Sequence, residues 1–162
     1  MAASFPWLYP YAAERQPWRD REVLRPVVPV SLAGPQVETA PRVGLVDTGA
    51  ENVLAAGWLA DLAGIDLSGS VDTARIGIGG QVAEVTFAEV ELRLYAPDVG
   101  EEFMSWRCDV GFVPGWQAPF ALVLGQAGFL NRFTATFHRV SAALAIEDVE
   151  AFDARFGPGA TR

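Results

Sequence analysis

An all-β fold with one or two short helices is what this sequence predicts, and three observations lead there. Short apolar runs alternate with Gly- and Pro-marked turns along most of the chain. Residues 71–94 read as one long hairpin turned at Gly79-Gly80, since a Gly pair between alternating strands supplies the positive φ of a tight turn. Phe120-Ala121-Leu122-Val123-Leu124 is wholly apolar and too short for a helix, which suits a central strand covered on both faces. The length of 162 residues favours one domain with a sizeable core, and a composition 51% hydrophobic and 20% charged is that of a folded chain.

In chain order, residues 1–20 mix Pro, Trp, Tyr and charge without a period. Trp7, Tyr9, Tyr11 and Trp18 are too apolar for a free tail and are expected to pack on the domain or on a second subunit. Arg25 to Leu32 reads as an edge strand, because Pro26 and Pro29 cannot donate to a ladder. Gly34-Pro35 turns it, and Arg42 to Val46 forms the next strand. Glu51 to Ala63 is alanine-rich, with Val53, Leu54, Trp58, Leu59 and Leu62 near helical spacing, and predicts a helix stopped by Gly64. Within the hairpin, Val85 and Phe87 have one parity and Val90, Leu92 and Leu94 the other, which predicts a bulge near Ala88-Glu89. Phe103 to Val113 is a strand ended by Pro114-Gly115. Ala127 to Asn131 predicts a short helix, Phe133 to Phe137 a strand, and Ile146 to Phe156 a short acidic helix.

Composition also excludes function classes. A formal net charge of −8 argues against nucleic acid and against an anionic membrane surface. The single Cys108 forbids an intrachain disulfide, and one Cys with one His leaves no Cys/His zinc site within a chain. Nothing resembles a calcium loop, so no metal and no cofactor are expected. No signal peptide and no membrane-spanning run is visible, and a cytoplasmic location is the expectation.

The chemistry-bearing stretch is Leu45-Val46-Asp47-Thr48-Gly49-Ala50, where an acid, a hydroxyl residue and a glycine follow an apolar strand. Two further features lie downstream: the glycine-rich Ile76-Gly77-Ile78-Gly79-Gly80, and Leu122-Val123-Leu124-Gly125 followed by Gly128 to Phe133. In this order the three features resemble the retropepsin-like aspartic proteases in their single-domain bacterial form, over roughly residues 25–137. The resemblance implies a closed acid-protease barrel with a flap hairpin. It also implies an organisation of N-terminal arm (1–24), protease domain (25–145) and acidic tail (146–162).

The resemblance implies an aspartic endopeptidase. Its catalytic residue is Asp47, supported by Thr48, Gly49 and Ala50, with Glu51, Leu124, Gly125 and Gln126 as structural support. Ile76, Gly77, Ile78, Gly79 and Gly80 form the flap over a peptide or protein substrate. Hydrolysis by an activated water needs two carboxylates that share a proton, and the chain carries one such motif, so the expected enzyme is a homodimer. Gly49 allows close backbone approach, and its N–H can donate to the carboxylate. One departure stands out. Gln126-Ala127 occupy the place where the family usually has Arg, often followed by an acid; that Arg commonly pairs with the acid at the position of Glu51. Gln126 remains able to hydrogen-bond Glu51, without charge assistance.

Each feature also has a plainer explanation. Asp-Thr-Gly by itself suits an ordinary turn, Gly79-Gly80 an ordinary hairpin, and Gly125 a packing position. Cys108 reads as a small buried residue, His138 as a surface residue, the tryptophans as core or interface anchors, and Glu147, Asp148, Glu150 and Asp153 as a solvated face. The alternative function is a catalytically weak or inactive peptide-binding or assembly module of the same fold. A protease confined to itself or to one partner, with the N-terminal segment as propeptide or interface arm, is the third.

Overall fold

The computed structural model describes residues 5–16, 20–78, 80–98 and 100–157. The chain opens with β1 (Trp7–Pro10) and the hairpin of β2 (Ala12–Gln16) with β3 (Arg21–Arg25). It continues through β4 (Val27–Ala33), β5 (Arg42–Val46), β6 (Val53–Ala56), α1 (Gly57–Ala63), β7 (Thr73–Ile78), β8 (Gln81–Tyr95) and β9 (Phe103–Val113). It ends with β10 (Leu122–Leu124), β11 (Phe133–His138), β12 (Ala143–Asp148) and α2 (Val149–Phe156).

Six strands close a barrel in the order β4-β5-β10-β6-β9-β8, and β8 returns to β4. The closing strand is the one expected at an edge. It pairs with β5 through Val27–Val30 and with β8 through Val30–Ala33, so Pro29 falls in the half with one ladder partner. The all-β closed barrel with its hairpin and two short helices is therefore present; both helices begin later than expected, and the helix expected over Ala127–Asn131 is absent.

The predicted helix over 51–63 is a strand followed by a helix. Val53–Ala56 is buried at every residue between β10 and β9, and ladder bonds on both sides override its alanine-rich helical preference. Only Gly57–Ala63 is helical, and Gly64 stops it in the left-handed region at φ 69°. After Gly125 there is no regular helix. Residues 126–132 form turns with Leu130 N–H bonded to Gly125 O at 3.0 Å and Asn131 N–H to Gln126 O at 3.0 Å.

The tail divides as well. Ala143–Asp148 is a strand between β1 and β11, and α2 starts only after it. Glu147 and Asp148 are not a solvated face: Glu147 is 2% exposed and takes both oxygens to Arg155, while Asp148 caps α2 by accepting from Ala151 N–H at 2.6 Å. His138, at the exposed end of β11, hydrogen-bonds Ser141 within the β11–β12 turn.

No bulge interrupts β8, whose register with β9 is continuous from Thr86 to Tyr95. The parity change has another origin: the strand serves two cores. Val90, Leu92 and Leu94 face the main core, with Phe112, Leu122, Leu124 and Phe129. Val85 lies on the opposite face, in a second small core with Leu54, Val113 and Val123. Trp7 and Tyr9 reach the main core from β1, so the opening aromatics are interior residues; Trp106 joins them, Trp58 is 44% exposed, and Trp18 lies outside the described residues. Among the described residues no helix is long and apolar enough to cross a membrane.

The barrel seam carries a polar cluster. Ser31, fully buried, donates to Glu38 Oε1 at 2.6 Å; Tyr95 donates to the same oxygen at 2.6 Å, and Arg93 binds the other. Burial pushes the Glu38 carboxyl up, but the two hydroxyl donors and the Arg93 charge together hold it below the usual glutamate range. A depressed folded pKa gives stability that is complete above the unfolded value of about 4.3 and is lost as pH falls through the folded one. In urea titrations, wild type should therefore exceed Glu38→Gln at neutral pH, with the gap closing in acid; a gap independent of pH rejects this account.

Candidate active site

Strand β5 ends by delivering Asp47. The Asp47 N–H donates to Leu124 O at 3.1 Å, which extends the parallel β5–β10 ladder one residue past the strand and fixes where the acid leaves the barrel. Leu45 and Val46 are buried and anchor the exit. The chain then turns: Ala50 N–H bonds Asp47 O at 3.3 Å, and Gly49 N–H bonds Asp47 Oδ1 at 2.8 Å. The carboxylate is thus oriented by backbone, while its second oxygen is left available. Asp47 and Ala50 are half-buried; Thr48 and Gly49 are exposed.

The loop is held from behind by residues 125–127. Gln126 N–H donates to Ala50 O at 2.9 Å and Ala127 N–H to Glu51 O at 2.7 Å, and Asn52 bridges Ala127. A Cβ at Gly125 would sit 2.4 Å from Asn52 O and 2.6 Å from Ala50 O, inside contact distance of two backbone carbonyls. Gly125 is therefore what lets the two loops touch. The Gln126 side chain does not bond Glu51. Its Nε2 donates to Thr48 O at 2.7 Å, because the backbone bond to Ala50 sets residue 126 beside that carbonyl. Leu124 is fully buried in the main core and contributes its carbonyl to Asp47.

In front of Asp47 lies a cleft of about 500 Å³. Its floor is Asp47, Gly49, Ala50, Glu51, Asn52, Leu54 and Val123; its other wall is Arg75, Ile76, Gly77 and Ile78 of β7. The expected flap residues Ile76, Gly77 and Ile78 thus line the same space as Asp47. Gly80 makes the hairpin turn at φ 82°, and Gly79 lies outside the described residues. Ile76 and Ile78 pack with Ala50 on the small core of Leu54, Val85 and Val123, so the turn end of the hairpin is tied to the Asp47 loop by apolar contact.

Sequence reasoning missed Asn52, Leu54, Arg75 and Val123 as cleft residues. Leu54 was hidden by the helical pattern around it. Val123 was legible in principle, since in a strand it must face opposite Leu122 and Leu124.

A larger cavity of about 820 Å³ lies elsewhere, between β9, the 127–133 turns and the start of α2, and includes Cys108. Burial pushes the Cys108 thiol up to about 11, so it stays protonated and unreactive at neutral pH. Among the described residues no group of three or more His, Cys, Asp or Glu is placed to hold a metal ion.

No protein-family model matches the chain, and no curated protein matches it in sequence. Among the solved structures it is similar to are the following. The retroviral protease-like domain of Ddi1 from Leishmania major is 17% identical with a TM-score of 0.48, over 78% of this chain and 91% of that one. A retropepsin-like aspartic protease from Rickettsia conorii is 15% identical with a TM-score of 0.47, over 90% and 96%. EIAV protease, complexed with the inhibitor HBY-793, is 19% identical with a TM-score of 0.34, over 63% and 82%.

The crowding at Gly125 and the open space at Gly77, where an added Cβ meets nothing within 4 Å, give a paired test. Gly125→Ala should lower unfolding free energy by about 1–3 kcal/mol, whereas Gly77→Ala should stay within about 0.5 kcal/mol of wild type. Chemical denaturation reads both, and equal losses would refute the close-approach account.

Proposed function

We propose that this chain is an aspartic endopeptidase that works as a homodimer, with Asp47 of each copy on the two-fold axis. The observation that carries the reading is the Asp47 carboxylate, held by Gly49 N–H at the floor of a cleft walled by a glycine-containing hairpin.

Peptide hydrolysis without metal or covalent intermediate needs a base for water and an acid for the substrate carbonyl and leaving amine. Two carboxylates in contact cannot both ionise, so one holds a proton and the other takes one from water. One chain supplies a single Asp47, and two-fold symmetry supplies the second. Thr48, exposed beside Asp47, offers its hydroxyl to the partner copy, while Gln126 holds its carbonyl from within. Gly49 and Ala50 keep the floor low for an extended peptide. The hairpin of Ile76 to Gly80 is the flap: its backbone meets the substrate main chain, and its isoleucines cover apolar side chains.

A second reading keeps the cleft and drops the chemistry, making the chain a peptide-binding or assembly module. Its support is the neutral Gln126, whose side chain ties the loop through one uncharged hydrogen bond.

One experiment separates the two. Wild type and Asp47→Asn are incubated with a denatured protein over an acid-to-neutral pH series, and mass in solution is measured alongside. The expected result is cleavage by a dimeric wild type, reduced at least about a hundredfold in Asp47→Asn. Peptide binding without cleavage at any pH selects the module. Undiminished cleavage by Asp47→Asn refutes the catalytic assignment.

A further inference from the structure

The cleft floor carries a second acid, four positions after Asp47, that the chemistry above does not use. Glu51 is exposed and lines the cleft. Its backbone is fixed by Ala127 N–H, but its carboxylate has no hydrogen-bond or ion-pair partner among the described residues. The neighbour best placed to meet it, Gln126, is neutral and has its amide committed to Thr48 O. The cation at the cleft wall, Arg75, stands opposite Glu84 in the β7–β8 ladder. Strand alternation places it on the face away from Ile76 and Ile78. Among the described residues Glu51 is therefore a negative charge without a counterion, on a floor it shares with Ala50, Leu54 and Val123.

We propose that Glu51 is a specificity-determining residue that selects substrate segments bearing Lys or Arg a few residues from the scissile bond. An extended peptide lying along the floor past Asp47 brings successive side chains over the loop. A cationic one supplies the missing counterion, and an acidic one is repelled. Two copies of the chain present two such charges, one on each side of the axis, so the preference acts on both flanks of the cut. The inference rests on the reading of the cleft as a peptide site but not on turnover, because binding alone reveals it.

The test uses fluorescent, terminally blocked peptides of one extended apolar sequence. Lys, Gln or Glu is placed at each position in turn, and binding is titrated by anisotropy against Asp47→Asn protein. That background blocks cleavage and removes the other cleft carboxylate as a cation acceptor. At one or more positions the Lys peptide should bind roughly three- to tenfold tighter than the Gln peptide, and added salt should weaken the preference. Glu51→Gln in the same background should abolish the preference, and Glu51→Lys should transfer it to the Glu peptide. Because Glu51 is exposed and unpaired, both variants should melt with the parent, which separates loss of charge from loss of fold. Equal binding of the three peptides at every position, a Lys preference that survives Glu51→Gln, or no peptide binding at all overturns the proposal. Cleavage-site profiling of wild type is scored separately: a non-cleaving protein that keeps the Lys preference sinks the protease reading and leaves Glu51's role standing.

Discussion

Residue 125 has no room for a side chain, and the site is arranged around that fact. With two carbonyls within 2.6 Å of where a Cβ would lie, the segment after β10 can press directly on the loop after β5. That contact permits the backbone bonds from Gln126 to Ala50 and from Ala127 to Glu51. Those bonds hold the loop in which Gly49 N–H meets the Asp47 carboxylate. The acid is aimed by main chain rather than by long side chains, which carry more rotational freedom. Positioning of this kind suits chemistry in which small displacements cost large factors in rate.

The hairpin is tied to this loop through the isoleucines at its turn end. Strand β8 enters the barrel as one continuous element, burying Val85 under the hairpin and then Val90, Leu92 and Leu94 in the main core. Ile76 and Ile78 rest on the same small core that supports Ala50. Around these contacts the backbone is open: Gly77, Gly80, Gln81 and Val82 are exposed. Lifting the turn end of the hairpin from the cleft would therefore draw Ile76 and Ile78 off the small core they share with Ala50. Coupling between tip and loop runs through the isoleucines.

The parts of this arrangement that were legible in the sequence are those set by local chemistry. Asp47-Thr48-Gly49 marked the loop, the Gly pair at 79–80 placed the hairpin between β7 and β8, and alternation gave β9 its limits at Phe103 and Val113. What the sequence concealed was set by distant partners. Val53 to Ala56 reads as helix until β10 and β9 flank it. Glu147 reads as surface until Arg155 reaches it from α2, and Pro29 reads as an edge until β8 pairs with only the far half of its strand. The parity change in β8 is a related case: the pattern was seen correctly, but one strand facing two cores leaves the same trace as a bulge. In the site, Asp47, Gly49 and the isoleucines carried local signatures, while Asn52 and Leu54 became cleft residues only through the placing of β6 between β10 and β9.

On the homodimer reading, symmetry imposes an electrostatic condition on an acidic chain. Each copy has a formal charge of −8 and brings its own Asp47 and Glu51 toward the axis, so assembly concentrates like charge where the partners must meet. Two mechanisms relieve it. The pair of Asp47 carboxylates takes up one shared proton, which couples assembly to the state in which one acid and one base coexist. A cationic substrate side chain neutralises Glu51 on each flank, which couples assembly to occupancy, because a ligand that binds only the paired state stabilises it by mass action. An Arg at residue 126 would offer that charge a counterion from within the chain. On the same reading, the neutral Gln126 leaves Glu51 to be met by a cation of the bound peptide.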